Sequence, residues 1–270
     1  MAKRKELEEL TLMDDYMFWA VMKKKDLLIK LLECILSIKL VDLIYSKGQE
    51  ILKDAYDSRG VRLDVFVKDI TGRWYNIEVQ TTDKKDIPKR SRYNQAVVDV
   101  DELKPGEDFN KLQECFVIFI TKFDTHGRDK KLYWFEKKDR FEKDLLFGDG
   151  GNDIIVNIAG TKGEVSKELD EVISYLKSGE VEGDYTRELD DAVAAVKKSD
   201  ERKREYMRII RYEDELRRDN TLETTAKNVV NLMETMGLDA DTLITNMKID
   251  EYDREKIKEL VAEKLQMVPA

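Results

Sequence analysis

A chain of 270 residues, 41% hydrophobic and 9% aromatic, is long enough for one large domain or a domain with an appendage, which excludes global disorder. Charged residues make up 39% and the formal net charge is -9, which excludes coating of nucleic acid through overall charge but leaves room for a local basic strip. Two cysteines, Cys34 and Cys115, and one histidine, His126, exclude a disulfide framework, a Cys-rich zinc site and two-histidine catalysis, so any hydrolytic chemistry must rest on carboxylates, amides and lysines.

Residues 1–9 open on the basic run Lys3-Arg4-Lys5 but lack the apolar stretch of a signal peptide, and no apolar run approaches the roughly 20 residues of a membrane span. A soluble, cytoplasmic protein with no membrane partner is expected. Residues 12–45 read as helices: Met13, Met17 and Val21, then Leu27, Leu28, Leu31, Leu32, Ile35 and Leu36, recur at helical spacing. Asp14 is placed to cap the first helix and Asp26 to start the second. Cys34 here, and Cys115 later, lie in apolar segments and read as core thiols.

The period then changes. Val61, Leu63, Val65 and Val67 alternate with Arg62, Asp64, Phe66 and Lys68, a strand pattern. Asp69-Ile70-Thr71-Gly72 reads as a turn and residues 73–80 alternate again, which makes a hairpin. Ile87-Pro88 opens a helix, with proline in its first turn, running through Tyr93, Ala96, Val97 and Val100 to Lys104-Pro105-Gly106. Residues 116–120 form a continuous apolar run, a buried strand, and 132–135 and 154–158 are shorter strand candidates. This order gives an α/β domain over residues 1–165.

Residues 166–270 change character, with many charges, few strand formers and no proline from 167 to 265. They read as an all-α C-terminal region: one long helix over 186–218, a second over 224–236 closed by Gly237, then 238–247 and 251–265. Two roles stay open for this region, packing back on the core or a homo-oligomer or partner surface.

If the hairpin loop is Ile70-Thr71-Gly72, pairing numbers sum to 142 and Asp64 lies opposite Glu78. Glu78 and Gln80 share a face because the strand period is two, so Asp64, Glu78 and Gln80 converge. A loop of another length breaks this register. Opposed carboxylates on a sheet repel by some tenths to about 1 kcal/mol. A divalent cation offsets that, and oxygen donors, the Val79 carbonyl among them, suit Mg2+ or Mn2+. Gln80 cannot act as a base; it can orient water or donate to a phosphate oxygen. A solvated charged face beside Arg62 or Arg73 is the other reading of the pair. Beyond Gln80, Lys84, Lys85, Lys89, Arg90 and Arg92 oppose only Asp86, a local +4 strip suited to a phosphate backbone or to a solvated helix face.

Asp64-Val65-Phe66-Val67, a turn, then Tyr75-Asn76-Ile77-Glu78-Val79-Gln80 resembles the core of the PD-(D/E)XK nuclease superfamily. Residues 56–64, starting Tyr56-Asp57-Ser58-Arg59-Gly60, with Arg90-Ser91-Arg92-Tyr93-Asn94-Gln95, are similar to the Rpn group within it, the recombination-promoting nucleases and related transposase proteins. Leu12-Met13-Asp14-Asp15-Tyr16-Met17-Phe18 and Asn231-Leu232-Met233-Glu234-Thr235-Met236-Gly237-Leu238 extend the resemblance over most of the chain. It implies a restriction-endonuclease-like core, a mixed central sheet flanked by helices, and a metal-dependent DNA endonuclease. Asp64 and Glu78 would be the metal ligands, and Gln80 would stand where the superfamily signature has lysine, a dipole in place of a full charge. Glu33 falls where related nucleases can place another acidic residue; an exposed helix glutamate is its other reading. The alternative function is a nuclease fold that has lost hydrolysis and serves as a DNA-binding or protein-interaction module.

Overall fold

The computed structural model describes residues 4–45, 56–57, 60–61 and 65–266. Helices α1 (Asp15–Met22) and α2 (Lys25–Leu36) form from the expected apolar repeats. Asp14 precedes α1, but its carboxylate accepts from the Thr11 amide at 2.7 Å and from Lys5 at 2.6 Å, not from the helix. Helix α2 stops at Ser37, which takes a left-handed backbone with φ 54°. Glu33 then accepts from the Leu40 amide at 2.9 Å and from Lys39 at 3.1 Å, fixing the turn that follows. The helical expectation for 12–45 therefore fails beyond residue 36. Leu43–Tyr45 is a strand, β1, with Leu43 buried and Ile44 exposed, three residues being too few to show a period in sequence.

Strands β2 (Tyr56–Asp57) and β3 (Gly60–Val61) pair antiparallel in a two-stranded piece, so Val61 faces Tyr56. The hairpin strands are β4 (Val65–Asp69) and β5 (Trp74–Gln80). Then follow α3 (Ile87–Glu102), β6 (Cys115–Thr121), β7 (Leu132–Phe135) and β8 (Gly151–Asn157). Among the described residues one mixed six-stranded sheet runs β1-β4-β5-β6-β8-β7. Strands β5, β6 and β8 are parallel, and the outer pairings are antiparallel. The central strand β6 is buried at every position, as a parallel strand covered on both faces must be. Trp74, Val117, Phe119 and Ile155 pack with Ile87 and Val98 of α3 on one face. Tyr75 and Ile77 alternate to the opposite face and are fully buried.

Helix α4 (Lys167–Ser178) packs on α2, and α5 (Asp184–Lys198) packs on α4, α1 and α2. Contacts divide the chain into two compact units, Met1–Tyr206 and Met207–Ala270. Residues 166–206, grouped by composition with the later helices, thus pack in the unit that holds the sheet.

The single helix expected over 186–218 is broken, and the break has a cause. At Ser199 the hydroxyl accepts from the Arg202 amide at 3.3 Å and the carbonyl accepts from Lys203, so this serine caps a new helix, α6 (Asp200–Met236). The expected gap between 218 and 224 is absent. The hydroxyls of Thr221, Thr224 and Thr225 each donate at 2.8 Å to a carbonyl four residues back, which keeps them inside the helix instead of capping a new one. Gly237, with φ 67°, ends α6 as a left-handed C-terminal residue. Helices α7 (Ala240–Asn246) and α8 (Glu251–Gln266) complete the second unit around Leu222, Ala226, Val229, Leu243, Ile257 and Val261. Among the described residues no helix is long and apolar enough to cross a membrane.

Candidate active site

The hairpin loop is the three-residue Ile70-Thr71-Gly72. The Asp69 amide donates to the Arg73 carbonyl at 2.9 Å, the Gly72 amide donates to the Asp69 carbonyl at 3.0 Å, and Gly72 has φ 99°, the left-handed position such loops require. The register follows as Val65↔Ile77, Phe66↔Asn76, Val67↔Tyr75 and Lys68↔Trp74, each pair summing to 142. The described pairing ends one residue short of the expected carboxylate pair, since Arg62, Leu63 and Asp64 lie outside the described residues.

Asp69 locks this turn. It is 2% exposed, and one carboxylate oxygen accepts from the Thr71 amide at 2.8 Å, the Thr71 hydroxyl at 2.6 Å and the Arg73 amide at 3.1 Å. The other accepts from the Tyr75 hydroxyl at 2.9 Å. Burial works to raise its pKa, but the donors outweigh burial and hold the carboxyl below the ordinary range. Burial, together with that bond to Asp69, holds the Tyr75 phenol well above its usual value.

Along β5, alternate residues Trp74, Asn76, Glu78 and Gln80 share the face that looks toward α3. Glu78 is 8% exposed. Its Oε1 is ion-paired with Nη2 of Arg90, while its Oε2 is buried with no hydrogen-bond partner among the described residues. The other arm of Arg90, Nη1, donates to Oε1 of Gln80 at 2.6 Å, and the guanidinium lies 5.5 Å above the Phe119 ring. Gln80 spends its amide nitrogen on the Thr82 carbonyl at 3.0 Å. One step back, Asn94 donates to Asn76 at 3.2 Å, both buried. A further step back, Val98 packs in the same cluster as Trp74.

These contacts form rungs between a helix and a strand. Four helical residues rise about 6 Å and two strand residues about 6.6 Å, so the steps 98–94–90 and 74–76–78 stay in phase. Helix α3 is held in place by Ser91 and Gln95, which both donate to Asp153 of β8, Gln95 at 3.2 Å. Lys68 at 2.5 Å and the Trp74 indole at 3.0 Å tie its last turn to the hairpin through Glu102.

The basic strip divides. Lys84, Lys85, Lys89 and Arg92 are exposed, with Lys85 ion-paired to Asp83, whereas Arg90 turns inward onto Glu78 and Gln80. Val79 points its buried side chain away from Glu78 and Gln80. Glu33 is committed to the turn after α2. Cys115 is buried as expected of a core thiol, whereas Cys34 is only half-buried; burial pushes both thiols up, Cys34 to about 11 and Cys115 to about 12. His126 is an exposed turn residue whose ring approaches Tyr133 and Phe135.

The inward role of Arg90 was not read from the sequence, although a signal was present. Arg90, Asn94 and Val98 recur every four residues opposite a strand whose alternate residues are Glu78, Asn76 and Trp74. Among the described residues no three His, Cys, Asp or Glu side chains gather as a ready ligand cluster; Asp64 is not one of those residues. The buried, partnerless Oε2 of Glu78 is the feature that fits a hard cation, because a carboxylate oxygen shut away from water needs a positive partner.

A family model described as PD-(D/E)XK nuclease family transposase matches residues 12–148, just over half of the chain. No curated protein and no solved structure matches. The matched stretch contains the hairpin, α3, β6 and β7.

Proposed function

Because the chain belongs to the PD-(D/E)XK nuclease family transposases, we propose that it is a DNA endonuclease that hydrolyses phosphodiester bonds with a divalent cation. Mg2+ is the cation proposed, with Mn2+ able to replace it. Asp64 and Glu78 would hold it through carboxylate oxygens, with the Val79 carbonyl as a further donor. When bound, such a cation lowers the pKa of a coordinated water and offsets charge on the phosphoryl oxygens. The observation that carries this reading is the buried Oε2 of Glu78, unpaired among the described residues, on a hairpin with the register expected for a facing carboxylate.

The chain's own residues have separable parts. Gln80 directs a water or a phosphate oxygen with its amide dipole and takes no proton. Lys84, Lys85, Lys89 and Arg92, exposed just past β5, receive the DNA backbone as sequence-independent charge contacts. The C-terminal helices are proposed as the surface of a homo-oligomer.

Plasmid DNA incubated with the purified protein in Mg2+, Mn2+ or EDTA, beside Asp64→Ala and Glu78→Gln, tests the reading. Nicking that needs metal and disappears in both variants supports it. Undiminished nicking by Glu78→Gln would remove the site assignment.

One observation favours a second reading, a nuclease fold that binds DNA without cutting it. Both ends of the Gln80 amide are already bonded, to Arg90 and to Thr82. DNA retention without cleavage by the wild type, in any of the metals, selects that reading.

A further inference from the structure

The strand carries glutamine where the superfamily signature carries lysine, so β5 itself brings no full positive charge to the site. Among the described residues, the cation that meets both Glu78 and Gln80 comes from α3. One guanidinium bridges Oε1 of Glu78 and Oε1 of Gln80, the latter at 2.6 Å, and is steadied above the Phe119 ring.

The way Arg90 binds matters more than the fact that it does. A guanidinium standing in for a metal would fork across both oxygens of one carboxylate, its preferred bidentate geometry. Here the two arms are split between two residues, and Oε2 of Glu78 is left buried and unpartnered among the described residues. Leaving a buried acceptor unpaired is unfavourable, yet the rungs below it, Asn94 to Asn76 and Val98 beside Trp74, fix α3 so that Arg90 meets Glu78 from one side only. The same split bond sets the Gln80 amide, with its oxygen on Arg90 and its nitrogen on the Thr82 carbonyl.

We infer that Arg90 is a positioning residue of the metal site: it clamps one oxygen of Glu78 so that the other is presented to the cation, and it orients the Gln80 amide. This rests on the metal-dependent reading above and gives Arg90 a task different from that of the exposed basic residues near it. Arg90 acts inside the site. Lys84, Lys85, Lys89 and Arg92 act on the DNA backbone.

The test compares the full chain with Arg90→Met, which keeps length and loses the donors, and Arg90→Lys, which keeps charge and loses the fork. Mn2+ binding is measured by calorimetry and electron paramagnetic resonance without DNA, and plasmid nicking is resolved into kcat and KM. Loss of a residue that orients a ligand costs about ten- to a hundredfold in metal affinity. Arg90→Met should show that loss and a lower kcat with KM changed by less than about twofold, and Arg90→Lys should recover part of the affinity. Unchanged Mn2+ affinity, with a raised KM and a salt dependence shallower by about one charge, would make Arg90 a phosphate contact and overturn the inference. Tighter Mn2+ binding by Arg90→Met would also overturn it, by making Arg90 a competitor of the cation. A wild type that binds no Mn2+ at all would remove the metal reading and the inference together. A near-ultraviolet circular dichroism spectrum matching wild type accompanies each variant, and if Arg90→Met misfolds, Arg90→Lys decides alone, with wild-type Mn2+ affinity and an intact fold counting against the clamp.

Discussion

Replacing Asp69 with alanine removes the group that closes the hairpin on which the candidate site is built. Four donors meet its carboxylate, and Arg73 adds an ion pair at 3.3 Å. The Tyr75 hydroxyl is the costly orphan, because Tyr75 is fully buried and an unsatisfied buried donor costs about 1–3 kcal/mol. The Thr71 and Arg73 groups lie nearer the rim and can turn to water, so each adds about 0.5–1 kcal/mol. Asp69→Ala is therefore expected to destabilise the Met1–Tyr206 unit by about 3–5 kcal/mol, and Asp69→Asn, which keeps one acceptor oxygen, by about half as much. Urea unfolding followed by tryptophan fluorescence reads this unit directly, since Trp19, Trp74 and Trp134 all fall within it. The sign of the pH dependence follows from the depressed carboxyl. Its contribution is full above the ordinary aspartate value of about 4 and is lost as pH falls through the lower folded value. The wild type should lose stability in acid below about pH 4 more steeply than Asp69→Asn. A loss under about 1 kcal/mol for Asp69→Ala, or parallel acid curves, would refute the claim that this carboxylate holds the turn.

Gly160→Ala should cost about 1–3 kcal/mol by urea unfolding, because the added carbon would run into the Lys130 carbonyl. Gly237→Ala meets nothing within 4 Å but must hold φ 67°; a loss of about 1 kcal/mol, read by helical circular dichroism on a fragment or on the whole chain, separates backbone strain from crowding. Ser199→Ala removes the acceptor for the Arg202 amide and should lower stability by about 0.5–2 kcal/mol, while Ser199→Asp restores it. With thiol pKa values near 11 and 12, Cys34 and Cys115 should resist a thiol reagent at pH 8, where about one Cys34 in a thousand is thiolate, and both should react promptly in denaturant.

The hairpin register was legible because a single feature determines it. Asp69 and Gly72 bracket a three-residue loop, and loop length sets every pair that follows. The continuous apolar run that became β6 and the Pro88-opened helix α3 were readable for the same local reasons. Strand β1 was not, because Leu43–Tyr45 is defined by pairing with β4 and not by its own three residues. The threonines after 218 misled in the other direction, since whether such a hydroxyl caps a helix or bonds back into it depends on the backbone already being helical. At the site, a run of five cations shows charge but not direction. Arg90 turns inward because Asn94 and Val98 fix the side of α3 that meets the sheet, a tertiary fact that composition does not carry. Asp64, the sequence's first candidate ligand, lies outside the described residues.

The rungs between α3 and β5 also bear on the order in which the molecule assembles. Gln80 and Arg90 are 10 residues apart and Asn76 and Asn94 are 18 apart, whereas the parallel pairing of β5 with β6 joins Trp74 to Cys115 across 41 positions. By loop-closure entropy the short connection is easier to close by about 1 kcal/mol than the long one. The polar side chains of the candidate site thus belong to a nearly contiguous cassette that can settle while the sheet is still incomplete. Strands β6 and β8 then dock onto that cassette and lock it, Phe119 of β6 meeting the Arg90 guanidinium and Asp153 of β8 taking up Ser91 and Gln95.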